Sequence, residues 1–126
     1  MTDHGFGADL LERLRHEIEV DIETRPTADA PAHRTIIWVV VDARDRVLIR
    51  SYRGAGARWY REATSGMPLA LVVGDEVVPV TAEHATDDDR VRACSEELER
   101  KYAGDPATPA MVRDDVLDTT LELHPV

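Results

Sequence analysis

The stretch that most restricts the fold is Thr35–Val41, TIIWVVV, which contains the longest apolar run in the chain, Ile36–Val41. A run without alternation, rich in β-branched side chains, predicts a strand covered on both faces and therefore central in its sheet. It is far too short to cross a bilayer. Asp42-Ala43-Arg44-Asp45 then reads as a polar hairpin turn into a second strand, Val47–Ser51. Strands that follow one another through tight turns pair antiparallel, and this sets the class of the elements around them.

Leu10, Leu11, Leu14 and Ile18 recur at helical spacing behind Asp9, a candidate N-cap, while Gly5 and Gly7 ahead of them predict disorder over residues 1–8. Ile18, Val20 and Ile22 alternate with Glu17, Glu19, Asp21 and Glu23, the pattern of a strand with one wet face. Pro26 to Pro31 reads as a loop. A short helix near Arg58–Thr64 stops at Gly66, and Pro68 prevents its resumption. Leu69–Val73 and Val77–Glu83 flank a Gly74-Asp75 hairpin turn. Pro79 has no N–H, which places the return strand at an edge or at a bulge.

Asp87, Asp88 and Asp89 open the clearest helix, with Val91, Cys94, Leu98 and Tyr102 as its apolar stripe and Arg100 and Lys101 at its negative end. Gly104 and Pro106 end it, a loop runs through Pro109, and Val116–Leu123 reads as the last strand. The expectation is an α+β chain, about six antiparallel strands with flanking helices in a small closed or half-closed barrel, forming a single domain over residues 1–126.

The chain carries a formal net charge of -10, which argues against a nucleic-acid partner. A lone cysteine, Cys94, excludes an internal disulfide and points to a reducing, cytoplasmic setting; no basic-then-apolar leader and no membrane span are read. Against this acidic background Arg50, Arg53, Arg58 and Arg61 fall within twelve residues that hold no acid. They surround the loop Ser51-Tyr52-Arg53-Gly54-Ala55-Gly56-Ala57. Arginine grips phosphate oxygens with a planar fork, and glycines let the backbone approach a ligand closely. Ser51 offers a further donor, and the helix opening at Arg58 offers N–H groups. A phosphorylated small molecule is the expected ligand.

The competing reading is a plain strand-to-helix connection whose arginines pair with surface acids. Arg50 stays open between a phosphate contact and a structural ion pair. Trp38 and Trp59 are read as core, and Tyr60 as the better site candidate. The five histidines show no metal-ligand spacing, so no metal is assigned. His33 is read as a loop histidine, exposed or touching ligand. Cys94 is expected to be buried and inert.

The element order resembles the split β-barrel of the flavin-reductase and pyridoxamine-phosphate-oxidase type. The motif strand–Arg50-Ser51-x-x-Gly54–loop–Arg58-Trp59-Tyr60–helix is similar to that of the deazaflavin-dependent nitroreductase branch and of small bacterial relatives of unknown function. Thr24–Thr35 resembles the upstream loop of that branch, with Arg34 matching its arginine, and Glu99-Arg100-Lys101-Tyr102 resembles the helix end that precedes the last strand in many split barrels. The resemblance implies a homodimer binding the deazaflavin F420 or FMN as an oxidoreductase, with Arg34, Arg50, Ser51, Arg53, Gly54, Arg58 and Tyr60 at the cofactor. Two departures stand out: Arg61-Glu62 replaces the usual Asn-Leu after Trp-Tyr, and PTADAPAH replaces a loop rich in Gly and Lys. A non-catalytic barrel that binds a small anion or a protein partner is the alternative.

Overall fold

The structure, a computed structural model, describes residues 5–27 and 29–126. Its strands are β1 (Val20–Thr24), β2 (His33–Ile37), β3 (Val40–Val41), β4 (Val47–Ile49), β5 (Leu69–Val73), β6 (Glu76–His84) and β7 (Leu121–Pro125). They form one seven-stranded antiparallel sheet in the order β2-β1-β5-β6-β7-β4-β3, curled into a half-barrel. The helices are α1 (Ala8–His16), α2 (Arg58–Ala63), α3 (Asp88–Lys101) and α4 (Thr108–Met111).

The count is seven rather than the expected six because the apolar run is not one central strand. Its first half lies in β2, at one end of the sheet, and its last residues form β3 at the other end, with the bend at Trp38 and Val39. A single stretch of chain therefore supplies both edges. Ile37, Val39, Val40 and Val41 are buried, but Ile36 is 62% exposed, so cover on both faces fails at that residue.

Strand β6 also changes partners along its length. Its residues pair with β5 up to Val80 and with β7 from Val80 onward. Pro79 sits just beyond the β7 ladder: its carbonyl accepts from the Val126 N–H at 3.3 Å, so its missing donor costs only the return bond to the residue after β7. Inside the half-barrel, Ile22, Ile49, Leu71, Leu121 and Leu123 pack with Leu11 and Leu14 of α1 and Trp59 of α2. On the outer side, Val40 and Leu48 pack with Cys94, Leu98 and Tyr102 and with Met111 of α4. Burial pushes the Cys94 thiol up to about 11, which keeps it protonated and unreactive.

Several local expectations change. Phe6 is buried in the core and Ala8 opens α1, so the disorder expected over residues 1–8 does not hold from Phe6 to Ala8; residues 1–4 lie outside the described residues. The N-cap of α1 is Gly7, not Asp9. The short helix α4 occupies what read as loop. Asp114–Thr119 is a 3-10 segment, so the last strand begins only at Leu121. The hydroxyls of Thr119 and Thr120 donate to the carbonyls of Val116 and Leu117, each at 2.7 Å, and such back-bonds compete with a strand ladder. Ile18, read into both the helical stripe and the first strand, lies in neither α1 nor β1 and is exposed. His33, read as a loop residue, opens β2. Asp87 caps α3 as read, accepting from the Arg90 N–H at 2.9 Å.

Two cations join these layers, Lys101 half-buried and Arg50 buried. Lys101, the sole lysine, donates from Nζ to the carbonyls of Leu14 at 2.8 Å and Val39 at 2.7 Å. Burial pushes its pKa down to about 8. The adjacent Tyr102 donates to the Ile18 carbonyl at 2.6 Å and stacks on Trp38, with ring centroids 3.9 Å apart and planes 3° from parallel. Arg50, just after β4, is 1% exposed. Its Nε donates to Thr120 Oγ1 at 2.9 Å, its Nη1 to Ser95 Oγ at 2.7 Å and the Met111 carbonyl at 3.1 Å, and its Nη2 to the Val91 carbonyl at 2.9 Å. None of these partners is a carboxylate, and burial lowers its pKa.

Replacing Lys101 by Met removes the side-chain donor of the Leu14 carbonyl, leaves the Val39 carbonyl only the Tyr102 hydroxyl, and is expected to cost about 2 kcal/mol in urea denaturation at neutral pH. The folded state holds this proton less tightly than the unfolded chain, its pKa moved from the ordinary 10.5 down to about 8. The proton-linked part of the Lys101 contribution is therefore absent below pH 8 and grows as pH rises toward 10.5, on top of the lost hydrogen bonds, so the deficit of the variant widens over that window. Arg50→Met strands two hydroxyls and two carbonyls and is expected to cost about 3 kcal/mol, read by the same method.

Candidate functional site

A cleft of about 330 Å³ opens between the bend after β2 and the segment carrying α4. Its walls are mainly apolar: Ile36 and Ile37, Trp38, Trp59, Ala107 and Met111, with Tyr52 and Glu19 beside them. Ile36 and Tyr52 are 62% and 51% exposed, an unusual state for large side chains lining a recess. Trp38 is half-buried, stacked against Tyr102 and forming cleft wall, where the sequence read it as core.

The cleft runs into a shallower recess lined by Thr35, Arg53, Gly56, Ala57, Arg58 and Trp59. Thr35, Arg53, Ala57 and Trp59 line both, so the two form one continuous surface, apolar at one end and cationic at the other. The loop that builds the cationic end is shaped by its own backbone. Gly54 has φ +76°, a conformation that favours glycine, and its N–H donates to the Ser51 carbonyl at 3.1 Å. Ser51 Oγ returns a bond to the Gly54 carbonyl at 2.7 Å, and the Ser51 N–H donates to Thr119 Oγ1 at 3.0 Å.

The seven expected residues therefore separate. Arg53 and Arg58 share the recess; Arg53 has no hydrogen-bond or ion-pair partner among the described residues, and Arg58 only a loose one, Glu62 at 3.9 Å. Gly54 shapes the loop beside them. Arg50 borders the cleft, but its guanidinium is held by interior groups. Ser51 is 0% exposed and its hydroxyl is bonded inside the loop. Tyr60 is buried, its hydroxyl 3.5 Å from the Asp118 carbonyl, and burial followed by the nearby Asp118 charge raises its pKa. Arg34 is on β2, paired with Glu23 at 2.8 Å. Arg61, the fourth cation of the sequence cluster, lines neither recess.

Two groupings were not legible along the chain. Ile36, Tyr52, Ala107 and Met111 meet only because the bend and α4 bring distant segments together. Glu83, Glu122 and His124 each place a ligand-type atom within 4.8 Å of the others. Arg90 Nη1 already lies 3.2 Å from Glu83 and 2.9 Å from Glu122, so a guanidinium is the cation of that cluster.

No helix among the described residues is long and apolar enough to cross a membrane. The fold is shared with solved proteins of low identity. The heme storage protein HutZ from Vibrio cholerae aligns with TM-score 0.62 at 12% identity, over 97% of this chain and 91% of that one. A candidate pyridoxamine 5'-phosphate oxidase from Listeria innocua aligns with TM-score 0.58 at 11% identity, over 94% and 90%. The FAD binding protein from Mycobacterium smegmatis aligns with TM-score 0.50 at 18% identity, over 96% and 90%. At such identities the likeness shows the split-barrel fold alone. No curated protein matches the chain. Residues 10–123 match the family described as an uncharacterized protein conserved in bacteria, DUF2255, and the chain belongs to that family.

Proposed function

We propose that the protein holds a flavin-type cofactor, FMN or the deazaflavin F420, and acts as an oxidoreductase. The observation that carries this reading is the joined recess: apolar and aromatic walls at one end, two arginines without firm partners at the other. A planar ring fits between Trp38, Ile36, Tyr52 and Met111, and its phosphorylated tail meets Arg53 and Arg58 beside the Gly54–Gly56 turn. The cleft volume lies in the range of small-ligand sites. Bound there, the ring would carry hydride itself, leaving the chain to hold it, orient it and exclude water. Relatives of this fold named for FAD binding and for pyridoxamine-phosphate oxidation support the cofactor class. Exposed Ile36 and Tyr52 flank the cleft, and in this reading a second copy covers them.

A second reading, a barrel that binds an anion without turnover, draws on one observation: Arg50, Ser51 and Tyr60 are bonded or buried within the fold, leaving a smaller phosphate grip than the motif implied. Cofactor-dependent reduction of a quinone or nitro compound separates the two.

Titration of purified protein with FMN, F420 and heme tests the assignment. One of the first two is expected to bind with preference over heme, with Arg53→Ala and Arg58→Ala each weakening it about tenfold, the loss of one charge-assisted hydrogen bond. Preference for heme, or arginine variants that bind as tightly as wild type, would contradict it.

A further inference from the structure

Glu62, within α2, gathers side chains from three elements. Thr24 Oγ1 on β1 donates to its Oε1 at 2.6 Å. His33 Nδ1 on β2 lies 3.2 Å from Oε1 and 3.1 Å from Oε2. Arg58 Nε lies 3.9 Å from the same Oε1. Burial opposes charge on this carboxyl, but the hydrogen bonds from Thr24 and His33 and the charges of His33 and Arg58 outweigh it and hold it below the usual carboxylate range. An ionised carboxylate only accepts hydrogen bonds, so Nδ1 carries a proton. His33 Nε2 is different. It has no partner among the described residues, and no buried side-chain nitrogen lacks one, so Nε2 is open to solvent.

The charge arithmetic of this group depends on His33. The nearby Arg34 and Glu23 are already paired with each other and leave no net charge. With His33 neutral, Glu62 and Arg58 cancel, and Nε2 offers a lone pair that an anion does not want. With His33 as imidazolium the group has a net positive charge and Nε2 becomes a donor. Thr35 lies two residues on from His33, on the same face of β2, and lines the arginine recess with Arg58.

We infer that His33 is a recognition residue for the anionic end of the ligand: held by Glu62, its imidazolium donates from Nε2 to an oxygen of a phosphate group bound at Arg58. The inference rests on the reading that an anion occupies that recess, and it makes the affinity for that anion depend on pH. Neither His33 nor Glu62 belongs to the seven residues that the motif singles out.

Inorganic sulfate tests it, because its charge does not change over the range in which histidine titrates. Sulfate is titrated into wild type, His33→Gln and Arg58→Ala at about pH 5.5 and about pH 8.5, on either side of that range. Ionic strength is matched with chloride, and binding is read from the amide resonances of Ala57 and Trp59. Wild type is expected to bind about tenfold more weakly at the higher pH, the loss of one charge-assisted hydrogen bond. His33→Gln is expected to bind at the weaker level at both, and Arg58→Ala to lose affinity at both. Wild-type binding independent of pH, a pH dependence that survives His33→Gln, or no sulfate binding at either pH would overturn the inference. The same series with FMN keeps the two ideas apart. PH-gated sulfate binding without FMN uptake retires the cofactor reading and leaves the role of His33 standing.

Discussion

The bend at Trp38 and Val39 is the constraint on which the rest of the molecule depends. A chain segment that serves as both edges of one sheet must leave its hydrogen-bond ladder where it turns, and Val39 turns at 0% exposure. Without Lys101 its carbonyl would be buried with only the Tyr102 hydroxyl, 3.5 Å away, as a donor. That a chain built almost wholly on arginine uses its sole lysine here has a physical reason. A compact ammonium on a thin stem reaches two carbonyls on different elements, Leu14 and Val39, where a planar fork demands acceptors in one plane.

The same clasp prepares the site. Tyr102, next to Lys101, stacks on Trp38 and holds the indole as a fixed wall of the cleft. Arg50 does the corresponding work on the opposite side. It ties the end of β4 to the carbonyl of Met111 and to α3, so Met111 lines the cleft from a rigid support. Of the sequence cluster of arginines, one has become scaffold and two, Arg53 and Arg58, are left without firm partners. An uncompensated buried guanidinium is costly, and four neutral acceptors are what make it tolerable.

What could be read from the sequence was local. The cap at Asp87, the stripe through Cys94 and Leu98, the Gly74 turn and the short helix after Arg58 each carry their signal within a few residues, and each formed. The bend could not be read, because an apolar run looks the same whether it is one central strand or two covered halves. The 3-10 segment before β7 was hidden by its hydroxyl back-bonds, which pattern alone does not report. At the site, the glycine loop and the presence of cations were legible, but the direction of Arg50 was decided by acceptors 41 to 70 positions away. Glu62 likewise finds Thr24 and His33 at separations of 38 and 29, so their cluster exists only once β1, β2 and α2 have met.

The account turns on the ring lying against the Trp38 wall, and tryptophan fluorescence reads that contact directly. Titrating FMN or F420 is expected to give a saturable quench to which both cleft tryptophans contribute, and Trp38→Phe is expected to remove the Trp38 share and leave a smaller quench from Trp59. A quench that never saturates, or one of the same size in Trp38→Phe, would contradict it.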